Sequence, residues 1–393
     1  MGEARRRDVA VSGEGAGAGS PRAELEIPSP PDRRGFVFTG SGREYFRIWI
    51  VNLLFTVLTL GIYSPWAKVR KAKYFWQNTR LDGHVFDFHG RPSAILRGRL
   101  IAIVLLAAYT WSFQFSKIAG LVTVVVLCAA GPWLFMRAQQ FRLGNTSFRG
   151  LRFGFRSNTA EAYRVGLPVL SMWLLPAVVV GVGTEDRWLV GVAGLTNALF
   201  IPWMHHRLKG YQHQRATYGD RAFAFSPVTS KFYSAYVKGM LFVLLGSVIG
   251  GVLVGGIAVF WRTRRLGLEG WSAETVILGA VMGLAVYVVA WPYLAARLQQ
   301  AVWASTRLSG FRFRTEIKAS SLMFLVIVNV GLTVLTLGLY WPFAAVTLAR
   351  YRIECMRMYA GLPLDVVAAD VHAMPVTAAG EAALETFGLD VGI

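Results

Sequence analysis

Prolines, arginines and aromatic rings recur in this chain at fixed intervals, and no other feature limits its folding so strongly. An arginine stands five residues after each of Pro65, Pro132, Pro202 and Pro292, as Arg70, Arg137, Arg207 and Arg297. A phenylalanine stands twenty-one residues after each: Phe86, Phe153, Phe223 and Phe313. A second follows at twenty-three in the first three copies (Phe88, Phe155, Phe225), whereas in the fourth the pair comes two residues early, as Phe311 and Phe313. The ring at plus nine is Tyr74, Phe141, Tyr211 and, after Pro342, Tyr351. Chance does not hold such offsets over four copies, so the chain reads as an internal repeat. Each unit enters a basic helix through its proline, breaks, turns near a glycine such as Gly83, and closes on a short aromatic strand. The copy at Pro342 is decayed. Thr347 replaces the arginine, Arg350 comes one turn later, and Leu362-Pro363-Leu364 stands where the aromatic strand is expected.

What surrounds these units is apolar. Apolar residues make up 54% of the 393, and only 16% are charged, against about 25% in a soluble domain. The chain is therefore read as an integral membrane protein. Its formal charge of +19 would suggest nucleic acid on a soluble chain. Here the basic residues flank long apolar runs, as the topology rule for cytoplasmic loops demands, and no nucleic-acid partner is inferred. Cys128 lies in an apolar run and Cys355 in a basic helix, which does not make a disulfide framework.

Residues 1–35 are Arg-, Gly- and Pro-rich, with no apolar core for a signal peptide, and read as a disordered tail. A repeat-built transmembrane domain follows over 36–365, and 366–393 read as a flexible C-terminal tail. Two spans fit between each Phe-x-Phe strand and the next proline: 100–115 with 118–131, 165–182 with 188–201, and 237–260 with 275–291. Paired spans keep every basic unit on one side, so that side is the cytoplasm. The segments 48–63 and 322–340 are single. They share TVLTLG, and Asn52 and Asn329 each lie thirteen residues before a proline. Each either crosses once or re-enters, with Gly61 and Gly338 at the bend. Taking both as crossings gives about eight transmembrane helices, in an all-α polytopic fold with short cytoplasmic aromatic β-strands.

The stretches FVFTGSGREYF, TLGIYSPWAKVRKAKYFWQNTRLDGHVFDFHG and LTLGLYWPFAAVTLARYR resemble the YjgN family of bacterial inner-membrane proteins, a domain of unknown function. The resemblance covers about Phe36 to Leu364, and its TLGxY-x-P and NTR-x-DG signatures are fairly specific. It implies a multi-pass protein of the bacterial inner membrane with its basic loops in the cytoplasm. It supplies no substrate, reaction or catalytic residue.

The residues themselves offer few chemical groups. Arg70, Arg137, Arg207 and Arg297 lie just inside the interface, where they either bind lipid phosphate or ring a vestibule that concentrates anions. The polar groups within the apolar segments are Asn52, Thr56, Thr59, Asn329, Thr333 and Thr336, either interhelical contacts or a duplicated site at matched depth. His205 and His206 point to different helix faces, His213 lies two turns beyond His206, and His84 and His89 flank one strand only. None has an acidic or Cys partner at ligand spacing. No GxSxG, HExxH or P-loop is present, and the Gly-rich run 246–256 reads as close helix packing. No cofactor, metal or enzymatic activity is expected. The expected partners are the bilayer with its anionic headgroups, a small solute and further copies of the chain. Function is left between a channel or transporter for a small solute and a non-transporting scaffold that organises the envelope.

Overall fold

A computed structural model of the protein describes residues 32–181, 187–264, 273–361 and 367. Strand β1 (Asp32–Phe38) opens it. Helices α1 (Gly42–Leu58) and α2 (Ser64–Gln77) then lead into a hairpin of β2 (Thr79–Leu81) and β3 (His84–Phe88). The same order follows with α3 (Pro92–Phe115), α4 (Lys117–Gly144), β4 (Thr146–Phe148) and β5 (Leu151–Phe155). Next come α5 (Thr159–Gly181), α6 (Arg187–Gln214), β6 (Ala216–Tyr218) and β7 (Arg221–Phe225). After them are α7 (Thr229–Arg264), α8 (Ala273–Ala304), β8 (Thr306–Leu308) and β9 (Phe311–Thr315). The last helices, α9 (Ala319–Leu335) and α10 (Trp341–Glu354), reach a single strand, β10 (Met356–Ala360).

The ten strands form one closed antiparallel barrel, in which β1 pairs with both β10 and β2. The fifth hairpin is thus assembled from the two ends of the described chain. Closure leaves no strand edge open. This overturns the all-α expectation. The strands are only three to seven residues long, too short for their alternation to stand out, and their partners are far apart in sequence. The strand of the last unit is β10, directly after α10; the expected site at Leu362-Pro363-Leu364 lies outside the described residues. So do residues 1–31 and, apart from Val367, the tail 366–393. Strand β1 begins at Asp32, inside the segment read as an N-terminal tail.

Local chemistry explains the hairpins. Asp82 and Gly83 have φ of 53° and 76°, and Arg149 and Gly150 have 50° and 79°. Positive φ at both central residues is the two-residue turn whose twist suits paired strands. At the other rim, one backbone bond recurs five times: Thr39 N to Asn78 O, His89 N to Asn145 O, Arg156 N to Arg215 O, Ser226 N to Ser305 O and Glu316 N to Cys355 O, at 2.7–3.0 Å. It joins the end of one strand to the end of an even-numbered helix.

Two rungs of side chains organise the barrel. The lower pairs Phe36 with Leu81, Phe86 with Phe148, Phe153 with Tyr218, Phe223 with Leu308, and Phe313 with Met358. These ten belong to the barrel's core, which Phe311, Ala360 and Val367 also join, with Phe86 stacked on Phe148 at 4.4 Å between centroids. The upper rung carries Phe38, Phe88, Phe155 and Phe225, each packed among helices. At the fifth place on it stands Thr315, opposite Met356.

The helices stand on the upper rim as a closed ring, each packed on its neighbours in chain order and α10 on α1. Among the described residues, four helices are long and apolar enough to cross a membrane: Pro92–Phe115, Lys117–Gly144, Thr229–Phe260 and Val276–Ala304. The expected eight spans are corrected accordingly. The segments taken as single crossings, α1 and α9, are 17 residues each, about 25 Å long at 1.5 Å per residue and short of a ~30 Å core. Both turn back toward the barrel. Leu60 and Gly61 (φ 48° and 91°) reverse the chain after α1, and Leu337 and Gly338 (52° and 93°) do so after α9. Gly61 N donates to Thr56 O and Gly338 N to Thr333 O, both at 2.7 Å, the six-residue closure of a left-handed helix cap. The shared TVLTLG sequence makes this one turn twice.

Candidate functional site

The even-numbered helices carry different residues on two opposite faces. Residues two apart on an α-helix are turned by about 200°, so the arginine at plus five and the residue at plus seven diverge. At plus five, Arg137 lies over Trp133, Arg207 over Trp203 and Arg297 over Tyr293, at 5.2–5.5 Å from the ring centroids. Arg70 lies 5.8 Å from the Tyr63 ring. One helical turn separates ring and cation in the first three pairs and about two turns in the fourth, contacts worth ~0.5–1 kcal/mol each at exposed sites. Arg207 also donates to Arg164 O at 3.5 Å, and Arg297 lines a groove beside α7. These contacts place the arginines beside separate helices, each over its own ring.

Convergence happens on the other face. Lys209, seven residues after Pro202, faces Arg352 of α10 and Arg142 of α4. Strands β6 and β10, which follow α6 and α10, are separated around the barrel by three strands in one direction and by five in the other, through β1. Charges from their two helices therefore meet only across the space that the ring encloses. Burial first, then repulsion from Arg352 and Arg142, pushes the Lys209 ammonium down to about 8. Gln299 of α8 accepts from Arg352 Nε at 2.9 Å, and Gln139 at the same plus-seven position of α4 is buried. Below them, burial and then Lys209 hold His213 down at about 3, as a neutral imidazole. Its ring stacks on Phe225 and its Nδ1 is 3.1 Å from Thr306 Oγ1. A cluster of inward cations thus sits directly above the filled barrel. Like charges held together out of water cost free energy, which an anion placed among them recovers.

The polar residues of the terminal segments serve the backbone. Thr56, Thr59, Thr333 and Thr336 each donate to the carbonyl four residues back, at 2.6–2.7 Å. Thr59 and Thr336 also accept from Tyr63 N and Tyr340 N at 3.0 Å. Asn329 donates to Leu325 O at 2.8 Å, whereas Asn52 Oδ1 is buried without a partner among the described residues. Arg350 donates to Gly40 O at 2.7 Å and fastens α10 to the end of β1. The ring at plus nine ties helix pairs together: Tyr74 donates to Ser41 O at 2.8 Å, and Tyr211 Oη lies 2.7 Å from Ser157 Oγ.

His84 and His89 share a groove of about 500 Å³ on the barrel's outer wall with Asp87, Ser147, Arg149 and Arg152. His89 Nε2 is 2.8 Å from Ser147 Oγ, and His89 Nδ1 is 3.7 Å from Asp87 Oδ2. The order resembles a nucleophile relay, but 3.7 Å is no hydrogen bond and Ser147 is buried. The group is a polar clasp between β3 and β4. Sequence reasoning missed Lys209, Arg142 and Arg352 because it searched for residues held through four copies, whereas Lys209 stands at plus seven in one copy and an arginine at plus ten in two, Arg142 and Arg352. The signal was the plus-seven position itself, polar in three copies as Gln139, Lys209 and Gln299.

No solved structure matches this chain. It is 26% identical over 346 residues to inner membrane protein YjgN of Salmonella typhimurium strain LT2, covering 80% of this chain and 86% of that protein. Inner membrane protein YjgN of Escherichia coli O157:H7 is 30% identical over 167 residues, 41% of this chain and 38% of its own length. That of Escherichia coli strain K12 is also 30% identical over 167 residues, with the same coverage. Such relatives, with four helices of membrane-spanning length, make this an integral protein of the bacterial inner membrane. Matched over residues 33–386, the chain belongs to the DUF898 family of bacterial proteins of unknown function.

Proposed function

We propose that the protein is a multi-pass carrier or channel for a small anionic solute, built by repetition of one helix–helix–strand–strand unit with its basic ends in the cytoplasm. One observation carries the reading: Lys209, Arg142 and Arg352, from three different helices, converge inside the ring. Buried cations at such a place are expensive unless function uses them. Gln139 and Gln299 beside them offer neutral donors that complete an anion's shell. The five equivalent rim bonds support the repeat. No catalytic step, cofactor or nucleic acid enters this reading.

One observation favours the alternative of a non-transporting scaffold. The barrel is packed with side chains along its axis, so a solute held above it must leave between helices. Flux of labelled phosphate and sulfate into liposomes carrying the protein separates the two. The carrier reading expects flux that Lys209→Met abolishes. Liposomes that stay sealed to both anions, together with a protein partner that co-purifies with the chain, would favour the scaffold.

A further inference from the structure

We infer that the cleft between α7, α8 and β9 is a binding site for the phosphoryl headgroup of an anionic membrane lipid. The cleft lies where aromatic rings are missing from two neighbouring places. At plus nine, Tyr74, Phe141, Tyr211 and Tyr351 have Ala301 as their counterpart; on the upper rung, Phe38, Phe88, Phe155 and Phe225 have Thr315. Ala301 and Thr315 both line the resulting cavity of about 440 Å³. Thr315 is 8% exposed, and its Oγ1 has no hydrogen-bond partner among the described residues. A buried hydroxyl left unsatisfied is costly, and an acceptor oxygen in the cavity would satisfy it.

The rest of the lining selects an anion. Lys231 and Lys238 come from α7, Arg297 from α8 and Arg314 from β9, and no lining residue is a carboxylate. Depth selects a lipid over a free ion. Lys231 and Lys238 lie in the first turns of a helix long and apolar enough to span the membrane. Just beyond them, Met240 and Leu241 are exposed on α7, as are Tyr287 and Trp291 on α8. A phosphoryl group among the cations therefore leaves acyl chains running along these apolar faces, with the aromatic pair at headgroup level. The site is distinct from the Lys209 cluster and does not depend on the function proposed for it.

The test is thermal unfolding of the full chain in neutral detergent, titrated with phosphatidic acid, phosphatidylcholine or soluble glycerol 3-phosphate. Phosphatidic acid is expected to raise the unfolding temperature, with half-saturation shifted about tenfold or more upward in Lys231→Gln/Lys238→Gln. Thr315→Phe restores the ring that the other four places carry; it is expected to fold and to lose the response. If Thr315→Phe does not fold, the double lysine variant decides. Equal responses in wild type and the lysine variant, or to phosphatidylcholine, would overturn the site. A full response to glycerol 3-phosphate alone would overturn its assignment to a lipid.

Discussion

Gly35 lies directly opposite Arg357 in the barrel, and through this pairing β1 and β10 complete the fifth hairpin from the two ends of the fold. Beside it, Arg33 and Arg357 both reach Glu316, at 2.7 and 3.3 Å. The N-terminal strand is thus a structural closure, carried by few residues and paired on both edges.

Removing residues 1–38 should open that seam and expose the edges of β2 and β10. Open edges recruit other chains, so the truncated protein is expected to elute as aggregates in size-exclusion chromatography. A synthetic peptide of residues 32–38 should restore the monodisperse peak by strand addition. A truncated protein that stays monodisperse without it would contradict the closed barrel.

The helical hairpins make a second prediction, about sidedness. All hairpin tips of the barrel point away from the helices, so Ser309→Cys and Asp220→Cys should react with a membrane-impermeant thiol reagent from one and the same side, the cytoplasmic one. Ser116→Cys, at the turn between α3 and α4, should react from the other. Labelling of Ser116→Cys together with Ser309→Cys in sealed spheroplasts would rule out the crossing of α3 and α4.

The asparagine pair makes a third. Among the described residues, Asn52 Oδ1 has no partner, whereas the Asn329 amide donates to Leu325 O of its own helix. Replacing an unsatisfied buried group by an apolar one of similar size is neutral or stabilising, while losing a bond costs ~0.5–1.5 kcal/mol. Asn52→Leu should therefore leave the unfolding temperature unchanged or raise it, and Asn329→Leu should lower the stability by no more than about 1.5 kcal/mol. A large loss in either, measured by thermal unfolding in detergent, would mean that the amides bind something within the segments.

The positions of the barrel's aromatic residues were legible in recurrence, though the fold class was not. The offsets that place Phe86 and Phe153 in the sequence are those that set the barrel's lower rung, and the TVLTLG pair marks its two matching turns. Closure was not legible, because Phe36 and Leu81 are paired by nothing local. The two terminal hairpins were misread for a similar reason. Leu60 and Leu337 are exposed at 94% and apolar, so each tip reads as a continued span until its positive φ is seen. The candidate sites lie where recurrence fails. Lys209 breaks the plus-seven position with a charge, and Thr315 breaks the upper rung with a small residue. A search for what repeats passes over both.

The most direct test of the account is the pH and anion dependence of stability at Lys209. Its folded pKa, about 8, lies below the value of ~10.4 expected when unfolded. Between these values the unfolded chain binds more protons, so its contribution to stability rises as pH climbs from about 8 to about 10. Thermal unfolding of the full chain is followed from pH 7 to 10, with and without low-millimolar phosphate, below the range where salts act by exclusion. Wild type should gain stability with pH, and phosphate should raise its unfolding temperature at pH 7 and lose that effect above pH 9. Lys209→Met should be more stable than wild type at pH 7, by roughly 1–3 kcal/mol, and should not respond to phosphate. A Lys209→Met protein that is no more stable at pH 7 and keeps the full phosphate response would contradict an anion site at the centre of the helix ring.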